Sequence, residues 1–279
     1  MKLAVIGDPI EHSLSPKIHT FVMEKLGVEC KYSAVCVKQG ELAAFIDRVH
    51  TENISGFNVT MPHKVDVIQY LDWIDEDAKH YNSVNTVKVD GGRLLGYNTD
   101  GAGFLRSLED ADVTVSDKEI LFLGAGGVVN TLSKKLTLSK AQKVVILNKS
   151  PASAASICEK LKENFEIDCE FDNLDFDTIS EKIRTADIVI NATPLGMSGF
   201  SSDWKSCEFL KSAKSDVLIA DLIYNPRETK LLNAAKELGL KTLNGMGMLI
   251  YQALGSDEIY LGRKIENSDE IARGLELIV

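Results

Sequence analysis

The chain has 279 residues, 44% hydrophobic and 26% charged, with a formal net charge of −10. That length and composition suit one large or two modest globular domains with a full core. The acidic balance excludes a general nucleic-acid or anionic-membrane binder, and no apolar run approaches the ~20 residues of a membrane span.

The N-terminal stretch carries one lysine and a short apolar run, and reads as a first strand rather than a signal peptide. Residues 2–6 form that strand, ending in Gly7-Asp8-Pro9. Residues 16–26 place Ile18, Phe21, Val22 and Leu26 at helical spacing, with Ser15 as N-cap and Gly27 as stop. Residues 31–37 read as a second strand, 41–49 as a second helix and 54–59 as a third strand. Residues 84–89 and 93–97 flank Asp90-Gly91-Gly92 and predict a hairpin. From about residue 101 the pattern restarts with a helix at 103–108, then a strand at 119–123, a glycine loop and another helix. Further strands are expected at 143–147, 187–190 and 217–220. A helix at 228–238 closes on Gly239, and helical pattern returns from Gly245. Alternating βαβ units predict α/β architecture in two domains: an N-terminal one with a mostly parallel sheet, and a Rossmann-like one. The boundaries expected are 1–100, completed by 240–279, for the first and 101–239 for the second. Five cysteines with no CxxC and no histidine at ligand spacing read as reduced thiols of a cytoplasmic protein without a metal.

Chemistry-bearing residues gather at strand ends, where a rigid sheet positions loops. The stretch Gly56 to Lys64 offers Thr60, then Pro62, then Lys64, and Asn98-Thr99-Asp100 offers a carboxylate after another strand. A lone loop lysine is ordinarily a solvated surface charge. A lysine and an aspartate on two strand-end loops can instead form a proton-handling pair.

Gly124-Ala125-Gly126-Gly127 lies directly between a strand and a helix, the context of a dinucleotide-binding turn. Gly124 suits the tight turn, and Gly126 a close approach of backbone to pyrophosphate at the helix N-terminus. Val129 stands where the strict fingerprint has its third glycine. The next strand ends Asn148-Lys149-Ser150, with no carboxylate to take the ribose 2′-hydroxyl of NAD. Donors and a positive charge there favour the 2′-phosphate of NADP. The bland reading is a solvated lysine beside the helix start at Ser150-Pro151.

Taken together, the motifs resemble the shikimate dehydrogenase family. They are Gly7-Asp8-Pro9-Ile10 with His12-Ser13-Leu14-Ser15-Pro16; Asn58-Val59-Thr60 with Pro62 and Lys64; Val84-Asn85-Thr86; and Gly96 to Gly101. They continue through the glycine loop, Asn191 to Met197, Asp221 to Pro226 with Glu228-Thr229, and Gly245 to Gln252. The resemblance implies NADPH-dependent, reversible reduction of 3-dehydroshikimate to shikimate on the route to chorismate. It implies that Lys64 and Asp100 are the catalytic pair. Ser13 and Ser15 would hold the substrate carboxylate, with Thr60, Asn85, Tyr224 and Gln252 contacting its hydroxyls or carboxylate. The cofactor would meet Gly124, Ala125, Gly126 and Gly127, then Asn148, Lys149 and Ser150, and Thr193, Met197, Leu222 and Gly245. A small-molecule substrate, no nucleic acid, no membrane and a monomer or homodimer complete the expectation. In the oxidative direction a neutral lysine accepts the proton, which needs a lowered pKa.

Four departures from the family's usual pattern stand out. Asn82-Ser83 replaces Gly-Ala, and Val128-Val129-Asn130-Thr131 follows the glycine loop in place of small residues and a basic one. Lys149 and Ser153 stand where basic residues, one of them arginine, are usual, and lysine lacks arginine's bidentate fork. Leu254-Gly255-Ser256-Asp257 replaces an aromatic-containing helix segment. The competing readings are a quinate or dual-specificity relative, and a non-catalytic nucleotide sensor on the same scaffold.

Overall fold

A computed structural model describes residues 1–279, and the chain divides into two compact units, Met1–Gly103 with Ile250–Val279, and Phe104–Leu249. The first unit contains β1 (Lys2–Gly7), α1 (Ser15–Lys25), β2 (Lys31–Cys36), α2 (Leu42–Thr51) and β3 (Gly56–Val59). β4 (Trp73–Ile74), α3 (Glu76–Tyr81), β5 (Thr86–Asp90) and β6 (Arg93–Tyr97) follow. Its sheet runs β2-β1-β3-β5-β6-β4. β1 pairs in parallel with β2 and β3, and β4 with β6, while β5 runs antiparallel to both β3 and β6. The reversal at β5 matters for the site. It brings the start of β5 and the end of β6 to the edge where β3 ends.

Alternation along the strands sorts the two faces. Ala4, Ile6, Phe57 and Val59 pack with Leu42, Phe45, Ile46 and Val49 of α2 on one face. Leu3, Val5, Met23, Tyr32 and Tyr260 cluster on the other. Gly56 belongs to that second face, where a Cβ would stand 2.6 Å from the Tyr260 ring.

Within α4 (Asp100–Asp110) the chain passes into the second unit. There follow β7 (Glu119–Leu123), α5 (Gly127–Leu138), β8 (Lys143–Asn148), α6 (Pro151–Asn164), β9 (Asp168–Asn173) and α7 (Phe176–Lys182). Then come β10 (Ile188–Asn191), β11 (Leu218–Asp221), α8 (Lys230–Glu237) and β12 (Lys241–Leu243). The sheet order is β9-β8-β7-β10-β11-β12, parallel throughout. That is the doubly wound dinucleotide-binding order, with its switch point between β7 and β10. Both faces of the four central strands are covered, so β8, β7, β10 and β11 are apolar almost without interruption. Ile120, Phe122, Val144 and Ile146 meet Val129 and Leu132 of α5 and Leu161 of α6. Leu121, Leu123, Val145 and Leu147 meet Ile179 of α7 and Leu231 of α8. The chain returns to the first unit within α9 (Met246–Leu261), and α10 (Ser268–Glu276) ends the elements. Because β12 pairs with β11, residues 240–249 belong to the second unit and do not complete the first. No helix is long and apolar enough to cross a membrane.

Two local expectations need correction. Cys158 of α6 and Cys169 of β9 form a disulfide, with Cα atoms 5.5 Å apart, so only Cys30, Cys36 and Cys207 are free. The helix lies directly on the strand that follows it, which brings together two residues eleven apart. Ser15 does not cap α1: Ser13 Oγ accepts the Ser15 N–H at 3.2 Å instead. The Asn82 departure is explained by backbone geometry. Asn82 ends α3 with φ of 50°, a left-handed conformation that asparagine tolerates better than other non-glycine residues.

Candidate active site

The segment after β3 turns tightly against β1. Thr60 N–H donates to the Ile6 carbonyl at 2.9 Å, and Asp8 N–H to the Met61 carbonyl at 3.0 Å. A Cβ on Gly7 would lie 2.4 Å from the Thr60 methyl, so this approach needs glycine. His63 is buried and its Nε2 lies 2.6 Å from the Val37 carbonyl, pinning the turn from beneath. Val84 N–H closes the loop on the Lys64 carbonyl at 2.8 Å. Lys64 is thereby aimed by backbone bonds that do not involve its own side chain.

Its Nζ donates to Asp100 Oδ2 at 2.6 Å. The Asp100 side chain is 10% exposed and that of Lys64 30%, so the carboxylate is shielded while the ammonium reaches the surface of the site. Asn85 Nδ2 donates to the other carboxylate oxygen, Asp100 Oδ1, at 2.8 Å. Asp100 N–H donates to Asn98 Oδ1 at 3.0 Å, and Asn98 Nδ2 to the Ser83 carbonyl at 2.8 Å. This is Ser83's part in the site: its backbone, not its hydroxyl, orients the Asp100 turn. Gln252 Oε1 stands 3.4 Å from Asn85 Nδ2. Five sequence candidates are therefore placed on this side of the first unit: Thr60 at the β3 turn, and Lys64, Asn85, Asp100 and Gln252 in one connected group. Ser13, in the turn after β1, and Ser15, the first residue of α1, are half-buried and joined to that group by no hydrogen bond. Tyr224 belongs to the second unit, where burial pushes its phenol up and keeps it a neutral donor.

Several residues of this network went unassigned in the sequence. Asn58 Oδ1 accepts the hydroxyls of Tyr32 at 2.7 Å and Tyr260 at 2.9 Å. Burial raises both phenols well above their ordinary value, so they remain donors. Thr86 and Thr99 bond the Asn85 amide, and Ser256 of α9 bonds both threonines. The signal available was a polar Asn58 inside an apolar strand; its partners sit up to 202 residues away.

In the second unit, Gly124 directly follows β7 with φ of 111°, and a Cβ there would stand 3.0 Å from the Ala192 carbonyl. Gly124→Ala should lower the apparent Tm, since strain at such a position costs roughly 1–3 kcal/mol; an unchanged melting curve would contradict the turn's need for glycine. Gly126 and Gly127 are exposed, and a Cβ on either would meet nothing, so the open backbone at the start of the 12-residue α5 fits a phosphate. Ala125 is half-buried against the core. Asn148 Nδ2 donates to the Ser150 carbonyl at 2.9 Å and shapes the turn after β8. Lys149 and Ser150 are exposed, and the Ser150 hydroxyl makes no cap bond to α6. These groups fit the adenosine phosphate of NADP.

At the neighbouring end of β10, Thr193 Oγ1 donates to Asn191 Oδ1 at 2.7 Å, and Asn191 Nδ2 donates to Asp221 Oδ1 at 3.0 Å. Thr229 Oγ1 donates to Asp221 Oδ2 at 2.7 Å. Desolvation pushes the Asp221 carboxyl up, against these hydrogen bonds. Thr193 thus has its hydroxyl committed to the turn. Met197 is exposed, and Leu222 N–H is held by the Asn191 carbonyl. A Cβ on Gly245 would stand 2.2 Å from the Leu222 carbonyl, so glycine lets these two segments touch. No cluster of side chains suits a metal ion.

Comparison with known proteins gives consistent findings. The family model described as "Shikimate dehydrogenase substrate binding domain" matches residues 5–87, and "Shikimate / quinate 5-dehydrogenase" matches 107–243. A shikimate dehydrogenase (NADP(+)) of Methanocaldococcus jannaschii is 40% identical over 264 residues, 93% of this chain and 91% of that protein. The crystal structure of shikimate 5-dehydrogenase from Listeria monocytogenes, in complex with shikimate and NAD, superposes with a TM-score of 0.89 at 31% identity. It covers 98% of this chain and 96% of that one. A ligand-free 5-ketofructose reductase of Gluconobacter superposes with a TM-score of 0.86 at 30% identity, over 100% of this chain and 99% of that one.

Proposed function

The chain belongs to the shikimate dehydrogenase family, and on that premise we propose that it interconverts shikimate and 3-dehydroshikimate with NADP. It is an NADP-dependent oxidoreductase. The observation that carries the site assignment is the 2.6 Å Lys64–Asp100 contact, with Asn85 on the second carboxylate oxygen. Residues 1–103 with 250–279 are assigned to the substrate, apart from Tyr224, and residues 104–249 to the cofactor. In that second unit Gly126, Gly127 and the α5 N-terminus would take the pyrophosphate, and Lys149 and Ser150 the 2′-phosphate. Thr193, Met197, Leu222 and Gly245 would border the nicotinamide. When bound, the cofactor supplies hydride chemistry.

The chain's own residues then handle the proton. During reduction Lys64 Nζ stabilises the alkoxide forming at the former ketone and donates a proton to it. During oxidation it takes that proton from the hydroxyl. Asp100 holds the amine in line and accepts a bond from the ring hydroxyl beside it. Thr60, Asn85, Gln252 and Tyr224 suit a ring bearing several hydroxyls, because a pocket built of donors and acceptors rejects analogues lacking them. Ser13 and Ser15 take the carboxylate. The catalytic pair comes from one chain, so a monomer or a homodimer can work, and the expected compartment is the cytoplasm.

The test is cofactor reduction, followed by absorbance, with shikimate and quinate, each with NADP+ and NAD+. Shikimate with NADP+ should be fastest, and no turnover in any combination would overturn the assignment. Ser15→Ala should raise the shikimate KM about tenfold with kcat nearly preserved, the effect of one hydrogen bond to a charged group. An unchanged KM would remove Ser15 from the carboxylate site.

A further inference from the structure

Ser256 lies one turn beyond Gln252 on α9 and is completely buried. Its Oγ accepts from Asn58 Nδ2 at 3.0 Å and lies 3.0 Å from the Gln252 carbonyl. Its Oγ also lies 2.8 Å from Thr86 Oγ1 and 3.3 Å from Thr99 Oγ1. A serine has one proton and two lone pairs: since Thr86 gives its own proton to Asn85, the Ser256 proton goes to Thr86 Oγ1, and the Ser256 lone pairs face Asn58 and Thr99.

The two threonines lead to the catalytic group. Thr86 Oγ1 donates to Asn85 Oδ1 at 2.8 Å, and Thr99 Oγ1 reaches the same oxygen at 3.3 Å. Thr99 N–H donates to it at 2.9 Å. A backbone N–H can only donate, so it settles which end of the Asn85 amide is the oxygen. The Nδ2 end must then face Asp100, where it donates to Oδ1 at 2.8 Å. Asp100 in turn holds Lys64. Three residues thus separate Ser256 from the Lys64 amine: Thr86 or Thr99, Asn85 and Asp100, joined by successive hydrogen bonds.

We propose that Ser256 is a positioning residue for the Lys64–Asp100 pair, acting through Thr86 and Thr99 on the Asn85 amide. Removing its oxygen takes one partner from each threonine hydroxyl and one from Asn58 Nδ2, which keeps the Asn85 carbonyl and Thr86 Oγ1, and opens a gap beside the Asn85 amide. Asn85 is then free to tilt, and Asp100 loses the fixed donor that orients it. Small displacements of this kind lower turnover without removing any group that touches substrate. The inference rests on the assignment of Lys64 and Asp100 as the catalytic pair.

The experiment is a double-mutant cycle on the intact enzyme, read as kcat and KM for shikimate oxidation with NADP+. Ser256→Ala should lower kcat about tenfold while leaving the shikimate KM within about twofold. In the Asp100→Asn background the same change should have no further effect, because the group it positions is gone. Thr86→Val cuts the same link while keeping the side-chain shape, and should reproduce the tenfold loss if Ser256→Ala does not fold. A Ser256→Ala enzyme with wild-type kcat would overturn the proposal, as would losses that multiply in the double mutant. Full activity of Asp100→Asn alone would overturn the catalytic assignment and this inference together.

Discussion

Lys64→Ala is expected to lower kcat for shikimate oxidation by about a thousandfold, while the shikimate KM changes by less than about threefold. The expectation follows from the placement of the side chain. Lys64 Nζ is the cation on Asp100, and its alkyl stem makes no contribution to the buried core. The loop that carries it is held by His63 on the Val37 carbonyl and by Val84 N–H on the Lys64 carbonyl. Alanine leaves every one of those bonds in place, so the fold and the hydroxyl-binding residues persist. What is lost is the group proposed to give and take the proton. Lys64→Arg separates charge from proton transfer. Arginine keeps the positive charge but stays protonated at any working pH, so it should not restore turnover. Steady-state kinetics of both variants, with thermal unfolding as a fold check, decide the point. A large rise in KM with kcat intact would make Lys64 a binding residue and not the proton donor.

Asn148→Asp is expected to shift the ratio of kcat/KM for NADP+ over NAD+ about a hundredfold toward NAD+, since like charges brought together cost several kcal/mol. Asn148 ends β8, and its Nδ2 anchors the Ser150 carbonyl at 2.9 Å. Aspartate cannot donate to that carbonyl, so the turn carrying Lys149 and Ser150 loosens as well. The same carboxylate offers a bidentate acceptor to a ribose 2′-hydroxyl, which NAD+ has free and NADP+ does not. Both effects act in one direction. Lys149 is exposed and in no ion pair, leaving its charge free for a 2′-phosphate. Initial rates with each cofactor at saturating shikimate measure the ratio. An unchanged ratio would mean that selectivity is set elsewhere than at the end of β8.

Legibility in the sequence followed burial. The central strands of the second unit, such as Ile120 to Leu123 and Val144 to Leu147, are covered on both faces and read as unbroken apolar runs. β9, with the sequence DCEFDN, is an edge strand whose exposed residues erase the pattern, and it was not anticipated. The short α3 was also missed. Its six residues hold only Ala78 and Tyr81 buried, and it is announced by Asp75, whose carboxylate accepts the Ala78 N–H. Lys64 and Asp100 stand out in the sequence because each closes a short polar motif after a strand, whereas Asn85 is singled out by the resemblance alone. The surroundings of Asn85 were not legible. Ser256 and Asn58 are 198 residues apart, and no local rule pairs them. Ser256-Asp257 stand where the family's usual pattern has an aromatic-containing helix segment, and their contacts were not legible from the sequence. Both side chains are buried and polar: Ser256 joins the Asn85 network, and Asp257 Oδ1 lies 2.6 Å from His19 Nδ1 in a fully buried pair. His19 stacks on Tyr32, 4.3 Å between ring centroids, so the same tyrosine that bonds Asn58 also packs this pair. Asn82 was similarly ambiguous until its left-handed backbone marked it as a helix stop.

The most direct test of the account is a crystal structure of the protein with shikimate bound. The reacting hydroxyl should lie within about 3.2 Å of Lys64 Nζ, with the adjacent hydroxyl at the same reach from Asp100 and the carboxylate at Ser13 and Ser15. Shikimate bound with its carboxylate on Lys64, or away from Asp100 altogether, would contradict the assignment of these two residues as the proton-handling pair.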